Sequence, residues 1–350
     1  MLDDLQVLAQ RDPSGALEVA AAQYKQTQFN AEIGCADHDG RQIYHIVLAG
    51  MGGSALQSLL ALSWLKNDFL VPVEIVRDYD LPHYVGHHTL VIAASYSGNT
   101  AETVACYTAA RQAGAQVAVI AAGGLLLEAA KKDDVAHIAL LGGMQPRMAV
   151  IASLRALVRL LVHFSIIAQS RFDEIAQAGS WLEHETSAWL KTCGVHENVA
   201  KQLALESIGK TPVFYGGPLT AALAYKWKIS WNETAKNVAF ANQYPEYNHN
   251  EFMGWGSHPI EKPFAIFDLQ SSCERPEIDA RFEISNRLLS GKRPHQTAIE
   301  LEGDTLLRQL LYGCILADFS SIYAGILNRV DPTPVPLIEK LKTELAARGL

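Results

Sequence analysis

The stretch VIAASYSGNTAETVACYTAARQAGAQVAVIAA, residues 91–122, settles the fold class. An apolar run at 88–95 ends on Ser95, a stretch of helical period covers 99–114 and closes on Gly114, and a second apolar run follows at 115–122. A strand, a helix with a C-capping glycine and another strand, in that order, make a parallel βαβ unit. The turn into the helix carries Ser95, Ser97, Asn99 and Thr100 around one glycine, with almost no charge and no lysine. Capping needs only one such residue. A cluster of hydroxyls at the C-terminal end of a parallel strand, beside the N–H groups that open a helix, suits one phosphate on a neutral polyol.

The same alternation continues on both sides. Strands are expected at 43–50, 71–79 and 135–141 and a helix at 54–65, whereas 144 to about 207 reads as helical throughout. Strands resume at 211–217, 263–270 and 296–303, with helices at 218–236, 305–328 and 335–349. The expected class is α/β, with two doubly wound parallel-sheet domains joined by helices. The boundaries fall at 1–155, a helical connector over 156–207, and 208–350 including a C-terminal helix. The turns HIVLAGMGGSA and PVFYGGPLTAA give the halves a weak symmetry.

Composition narrows the partners. In 350 residues, 49% are hydrophobic and 19% charged, ample for a packed core, and a net charge of −8 without a basic run argues against nucleic acid or membrane. Cys35, Cys106, Cys193, Cys273 and Cys314 are scattered without CxxC spacing, which suggests neither disulfides nor a zinc site. MLDDLQVLAQRDP lacks the features of a signal peptide, and the apolar stretch around 148–168 is interrupted by Arg155, Arg159 and His163. A cytoplasmic protein is expected.

LAGMGGSAL follows a strand and opens a helix. Gly50, Gly52 and Ala55 fit the relaxed GxGxxA dinucleotide fingerprint, and Asp78 or Asp80 could serve as its acid, but no GK[ST] follows. A lone match of this kind is as well explained by a tight turn. The second, hydroxyl-rich loop tilts the reading from dinucleotide to phosphosugar.

GMGGSA together with SYSGNTAET resembles a sugar isomerase (SIS) domain. WNETAKN (231–237), YPEYNHNEFMGW (244–255) and VDPTPVPLIEKLK (330–342) resemble the bifunctional phosphoglucose/phosphomannose isomerase family, built from two such domains. The resemblance implies an aldose–ketose isomerase without cofactor or metal. It would interconvert glucose 6-phosphate, and mannose 6-phosphate as a further substrate, with fructose 6-phosphate through an enediolate. Gly52, Gly53, Ser54, Ser95, Ser97 and Thr100 would bind the phosphate. Such chemistry needs a base, a group to open the ring and positive charge near the enediolate. By resemblance Glu233 is the base, although on composition it reads as a helix glutamate paired with Lys236. His249 would open the ring and come from the neighbouring subunit of a homodimer, its tautomer held by Glu246, Asn248, Asn250 or Glu251. Arg147, at a helix N-terminus where the dipole gives it nothing, would stabilise the enediolate. Lys342 is selected over Lys340 by the family's IxxLK pattern. Val335 stands where dual-specificity relatives are expected to carry a small polar residue, so glucose 6-phosphate is implied more directly than its epimer. The competing readings are a non-catalytic SIS-type phosphosugar sensor and a nicotinamide-dependent enzyme.

Overall fold

Residues 1–257 and 263–348 are described by a computed structural model that divides into two units, Gln23–Gly179 and a second made of Met1–Ala22 with Ser180–Gly349. In the first unit the strands are β1 (Ile33–Gly34), β2 (His45–Ala49), β3 (Val73–Val76), β4 (Thr89–Ala94), β5 (Gln116–Ala121) and β6 (Ala136–Ala139), in the order β1-β6-β5-β4-β2-β3. All pairs are parallel except β1 with β6. The inner strands are apolar on both faces because helices cover both; every residue of β4 is buried. Val47, Ala49, Val91, Ala93, Val117, Val119 and Ala121 pack in one cluster with Cys106, Ala110, Leu126 and Ala130 of helices α2 (Ala101–Gln112) and α3 (Gly124–Lys132). Helices α1 (Gly53–Trp64) and α4 (Val150–His163) pack together and against the sheet. The five parallel strands follow a 2-1-3-4-5 order, which reverses between β2 and β4. Open α/β sheets bind ligands at that reversal, beyond the carboxyl ends of the strands.

The second unit repeats the scheme. Strands β7 (Thr211–Gly216), β8 (Phe240–Gln243), β9 (Phe264–Gln270) and β10 (Gln296–Glu300) run parallel in the order β10-β9-β7-β8, so the reversal lies between β7 and β9. Helices α5 (Val199–Ser207), α6 (Ala221–Ser230), α7 (Pro276–Leu288) and α8 (Leu306–Leu327) complete it, followed by α9 (Pro336–Ala346). Helix α8 is long and apolar enough to cross a membrane, but 94% of its most apolar window is buried inside the structure, as in a core helix.

The units do not coincide with the expected spans 1–155, 156–207 and 208–350. The first 22 residues belong to the second unit. Lys201, in α5, donates to Asp3 Oδ1 at 3.0 Å, Arg11 donates to the Ile326 carbonyl at 2.9 Å, and Glu18 pairs with Lys191. The expected connector is divided, and its helices after Gly179 belong with β7–β10. Strands β1 and β8 are additions to the expected set. β1 is only two residues long, and β8 lacks the apolar run that marks a buried strand.

Candidate functional site

The reversal between β2 and β4 brings GMGGSA and SYSGNT side by side. Tyr96 N–H donates to Ser54 Oγ at 2.9 Å and joins the two loops. Ser95 Oγ, buried, lies 2.9 Å from Thr100 Oγ1 and accepts from Gly98 N–H at 3.1 Å, while Ser97 is exposed and Ser54 and Thr100 are half-buried. Thr100 is the N-cap of α2 by position, yet its side chain does not form the capping bond. Asn99 turns away from this hydroxyl cluster: its Oδ1 accepts from Leu125 N–H at 3.0 Å and anchors the start of α3. Gly98 has φ +71°, and a Cβ there would overlap the Gly123 carbonyl. The loop is thus braced against its neighbour, with hydroxyls at its mouth and no fixed charge among the six expected phosphate ligands.

Arg147 joins this part of the first unit through the backbone. Pro146–Met148 forms a short 3-10 turn ahead of α4, and a Cβ on Gly53 would stand 3.0 Å from Arg147 N and 3.1 Å from Pro146 C. A side chain at residue 53 would press the two segments apart by a few tenths of an ångström. The arginine is 1% exposed and donates to Gln145 Oε1 at 3.1 Å. Tyr96, whose role sequence reasoning missed, ties SYSGNT to the same segment, donating to the Leu141 carbonyl at 2.7 Å and accepting from Met144 N–H at 3.1 Å. Burial raises its pKa.

In the second unit WNETAKN departs from the expected straight helix. After Ser230 the chain widens into a π-type turn over Trp231–Ala235 and stops at Lys236, a non-glycine residue in the left-handed region with φ 54°. Wide turns of this kind are often found at functional sites. Its frame is polar backbone bonding: Asn232 Nδ2 donates to the Asn237 carbonyl at 2.9 Å, and Asn328 Nδ2 to the Ala235 carbonyl at 3.0 Å. Lys236 Nζ donates to the Glu233 carbonyl and, at 2.7 Å, to that of Pro334, clamping the turn to the segment that leads into α9. Its left-handed backbone has no signature in a lysine. Behind the turn, Lys226 and Asp318 form a buried ion pair at 2.5 Å, with Ser230 Oγ 2.9 Å from the ammonium and 3.1 Å from the carboxylate. Trp227 and Trp231 stack with ring centroids 5.4 Å apart and 12° between planes. Glu233 itself is half-buried.

His249 is exposed, at the end of a 3-10 turn over Glu246–His249 rather than in an irregular loop. The four residues expected to hold its tautomer have bonds of their own. Glu246 accepts from Asn250 Nδ2, Asn248 bonds Ser285 and Arg281, and Glu251 accepts from Asn242 and from the Tyr215 hydroxyl. They fix the turn that carries the histidine. Lys342 lies on α9, whose side chains from Pro336 to Leu345 are all exposed, including Leu337 at 81%. Lys340 is 3.8 Å from Glu344, an i,i+4 pair, so of the two lysines it is the one in a surface ion pair. The structure therefore gathers Gly52, Gly53, Ser54, Ser95, Ser97, Thr100 and Arg147 in the first unit, and carries Glu233, His249 and Lys342 in the second.

Residues 196–345 match the family described as the bacterial phospho-glucose isomerase C-terminal SIS domain. Over 303 residues the chain is 35% identical to a bifunctional phosphoglucose/phosphomannose isomerase of Caldicellulosiruptor bescii, covering 86% of this chain and 89% of the relative. A protein of the same name from Aquifex aeolicus is 33% identical over 301 residues, covering 86% and 90%. Among solved structures, a glucose-6-phosphate isomerase like protein from Thermus thermophilus is similar with a TM-score of 0.63 at 18% identity, over 97% of this chain and 98% of that one.

Proposed function

The chain belongs to the bifunctional phosphoglucose/phosphomannose isomerase family and is a sugar-phosphate isomerase, and from that premise we propose how its residues divide the reaction. The phosphate of an aldose 6-phosphate binds in the first unit between GMGGSA and SYSGNT. The observation that supports this reading is the link from Tyr96 N–H to Ser54 Oγ at the sheet reversal, which ties GMGGSA to the loop that carries Ser95, Ser97 and Thr100. Glu233 removes the C2 proton and returns it to C1. Its placement on a clamped π-type turn, rather than on a regular helix face, supports that role. Arg147 supplies positive charge to the enediolate oxygens, and burial in low-dielectric surroundings strengthens such a charge.

His249 protonates the ring oxygen on opening and is contributed by a second copy in a homodimer. Its exposure, in a segment where Phe240 and Met253 are also 54% and 80% exposed, supports an assignment across an interface. Lys342 reaches the substrate when α9 is covered, and the exposed stripe Leu337, Leu341 and Leu345 gives that helix an apolar face to bury. Glucose 6-phosphate is the better aldose substrate, because Val335 offers no hydroxyl and Thr333 lies two residues away.

A coupled assay that follows fructose 6-phosphate from glucose and mannose 6-phosphates, with a chelator present, tests the reading. The expected result is turnover of both with glucose 6-phosphate preferred. A Glu233→Gln variant should bind the phosphosugar and fail to convert it, and full activity in that variant overturns the assignment of the base.

A further inference from the structure

The second sheet repeats the order of four strands of the first, β10-β9-β7-β8 matching β5-β4-β2-β3, so the loops at the two reversals correspond along the chain. Gly50, Gly52, Gly53, Ser54 and Ala55 after β2 stand opposite Gly216, the last residue of β7, and Pro218, Leu219, Thr220 and Ala221 beyond it. Ser95 follows β4 as Ser271 follows β9, and the same bond closes both turns: Gly98 N–H donates to the Ser95 carbonyl at 3.0 Å, Glu274 N–H to the Ser271 carbonyl at 3.1 Å. Glu274 therefore occupies the place of Gly98.

What it does there differs from any residue of the first crevice. Its carboxylate crosses to the other loop, where Leu219 N–H donates to Oε1 at 2.7 Å, and the nearby N–H groups of Thr220 and Arg275 favour its charged form. Leu219 is the counterpart of Gly53. The carboxylate is admitted because residue 217 has no side chain; a Cβ on Gly217 would overlap Glu274 Oε1. The residue is 8% exposed, and burial raises its pKa against the pull of those N–H groups. The remaining donors are spent or deleted. Pro218 has no N–H where Gly52 has one, Thr220 Oγ1 donates to the Leu269 carbonyl at 2.9 Å, and Ser271 Oγ donates to Gln309 Oε1.

We propose that the Glu274 carboxylate is an internal ligand, filling in the second unit the oxyanion cradle that the first unit keeps open for the substrate's phosphate. Each chain then has one open and one occupied cradle, and only one substrate site. The inference rests on the phosphate reading of the first crevice. A carboxylate that merely capped α6 would not be replaceable by a free oxyanion, whereas an internal ligand is.

Inorganic phosphate is the probe, read by calorimetric stoichiometry and melting temperature on the full chain. The set is wild type, Glu274→Ala, Glu274→Ser, Ser54→Ala/Thr100→Val in the first crevice, and that pair combined with Glu274→Ala. Wild type should take one phosphate, Glu274→Ala and Glu274→Ser two, the first-crevice variant none and the combination one. The Glu274 variants should melt lower than wild type without phosphate and recover most of the difference in it. Absence of binding to wild type defeats the reading of the first crevice. Unchanged stoichiometry in both Glu274 variants, with a stability loss that phosphate does not relieve, overturns the internal ligand whatever wild type does. Variants that stay unfolded in both buffers count against it equally, since phosphate should then restore the fold.

Discussion

Replacing Asp318 with alanine puts the buried core behind the Glu233 turn to a quantitative test. The Lys226 and Asp318 side chains are 0% and 1% exposed, and Ser230 bonds both. Losing the carboxylate strands an ammonium where water cannot reach it, a change that costs about 3–5 kcal/mol. For a unit of this size each kcal/mol moves the midpoint by roughly 2–4 °C, so the transition should fall by ~6–20 °C. The paired change Lys226→Met/Asp318→Leu removes both charges and leaves an apolar contact of similar volume. It should recover most of the loss, because the desolvation penalty disappears with the attraction. Thermal and urea melts followed by far-UV circular dichroism give all four corners of the cycle, and the coupling between the two positions should be several kcal/mol, favouring the double variant. A loss below about 1 kcal/mol in Asp318→Ala would place the pair in the surface class and refute the reasoning. So would a double variant as unstable as the sum of the singles.

Glu233→Gln should lower kcat by roughly 10²–10⁴ with KM little changed, as for loss of a general base, and a matched fall in affinity would contradict that role. If His249 is supplied across a two-fold interface, mixing Glu233→Gln with His249→Ala chains after dissociation rebuilds one intact site in each mixed dimer. Random pairing should then restore about a quarter of wild-type activity, and no recovery would put both residues in one chain's site. Gly98→Ala forces a side chain into the left-handed region and against the Gly123 carbonyl, so it should cost more than the ~1–2 kcal/mol of backbone strain and raise KM for the phosphosugar more than it lowers kcat. Asp268, buried beneath the His249 turn and bonded by Asn286, has its pKa pushed up to about 6 by burial. The folded state therefore holds that proton more tightly than the unfolded chain. Stability from this group is full below about pH 4 and is lost as the pH rises through 6, about 3 kcal/mol in all. Asp268→Asn should flatten that slope in denaturant melts at pH 4–7, and an identical slope would assign it to other groups.

The alternation of short apolar runs with amphipathic segments is enough to read the parallel sheets, since strands covered on both faces are apolar over most of their length, as 89–94 and 211–216 are after an opening threonine. The loop proposed to hold phosphate stands out for a similar reason: SYSGNT carries more hydroxyls than a cap requires. Other features depend on distant partners. Nothing local marks residues 1–22 as belonging with β7–β10, because the bonds through Asp3, Arg11 and Glu18 join positions 198, 315 and 173 residues apart. The wide turn at Trp231–Ala235 reads as continuous helix in the sequence, since no proline or glycine interrupts it and its cause is packing against the end of α8 and the clamp from Lys236 to Pro334. Of the site residues, only the cradle can be argued from residue chemistry. Glu233, His249 and Lys342 are individually ordinary, and their motifs alone single them out.

The stacked indoles of Trp227 and Trp231 give this enzyme an optical reporter. Two rings stacked 5.4 Å apart and nearly parallel couple their transitions, and the second ring belongs to the turn that bears Glu233. Any ligand that reshapes that turn changes the coupling, so its effect can be followed in the near-ultraviolet without a label. The first unit has a single tryptophan, Trp64, which offers a complementary probe of that unit.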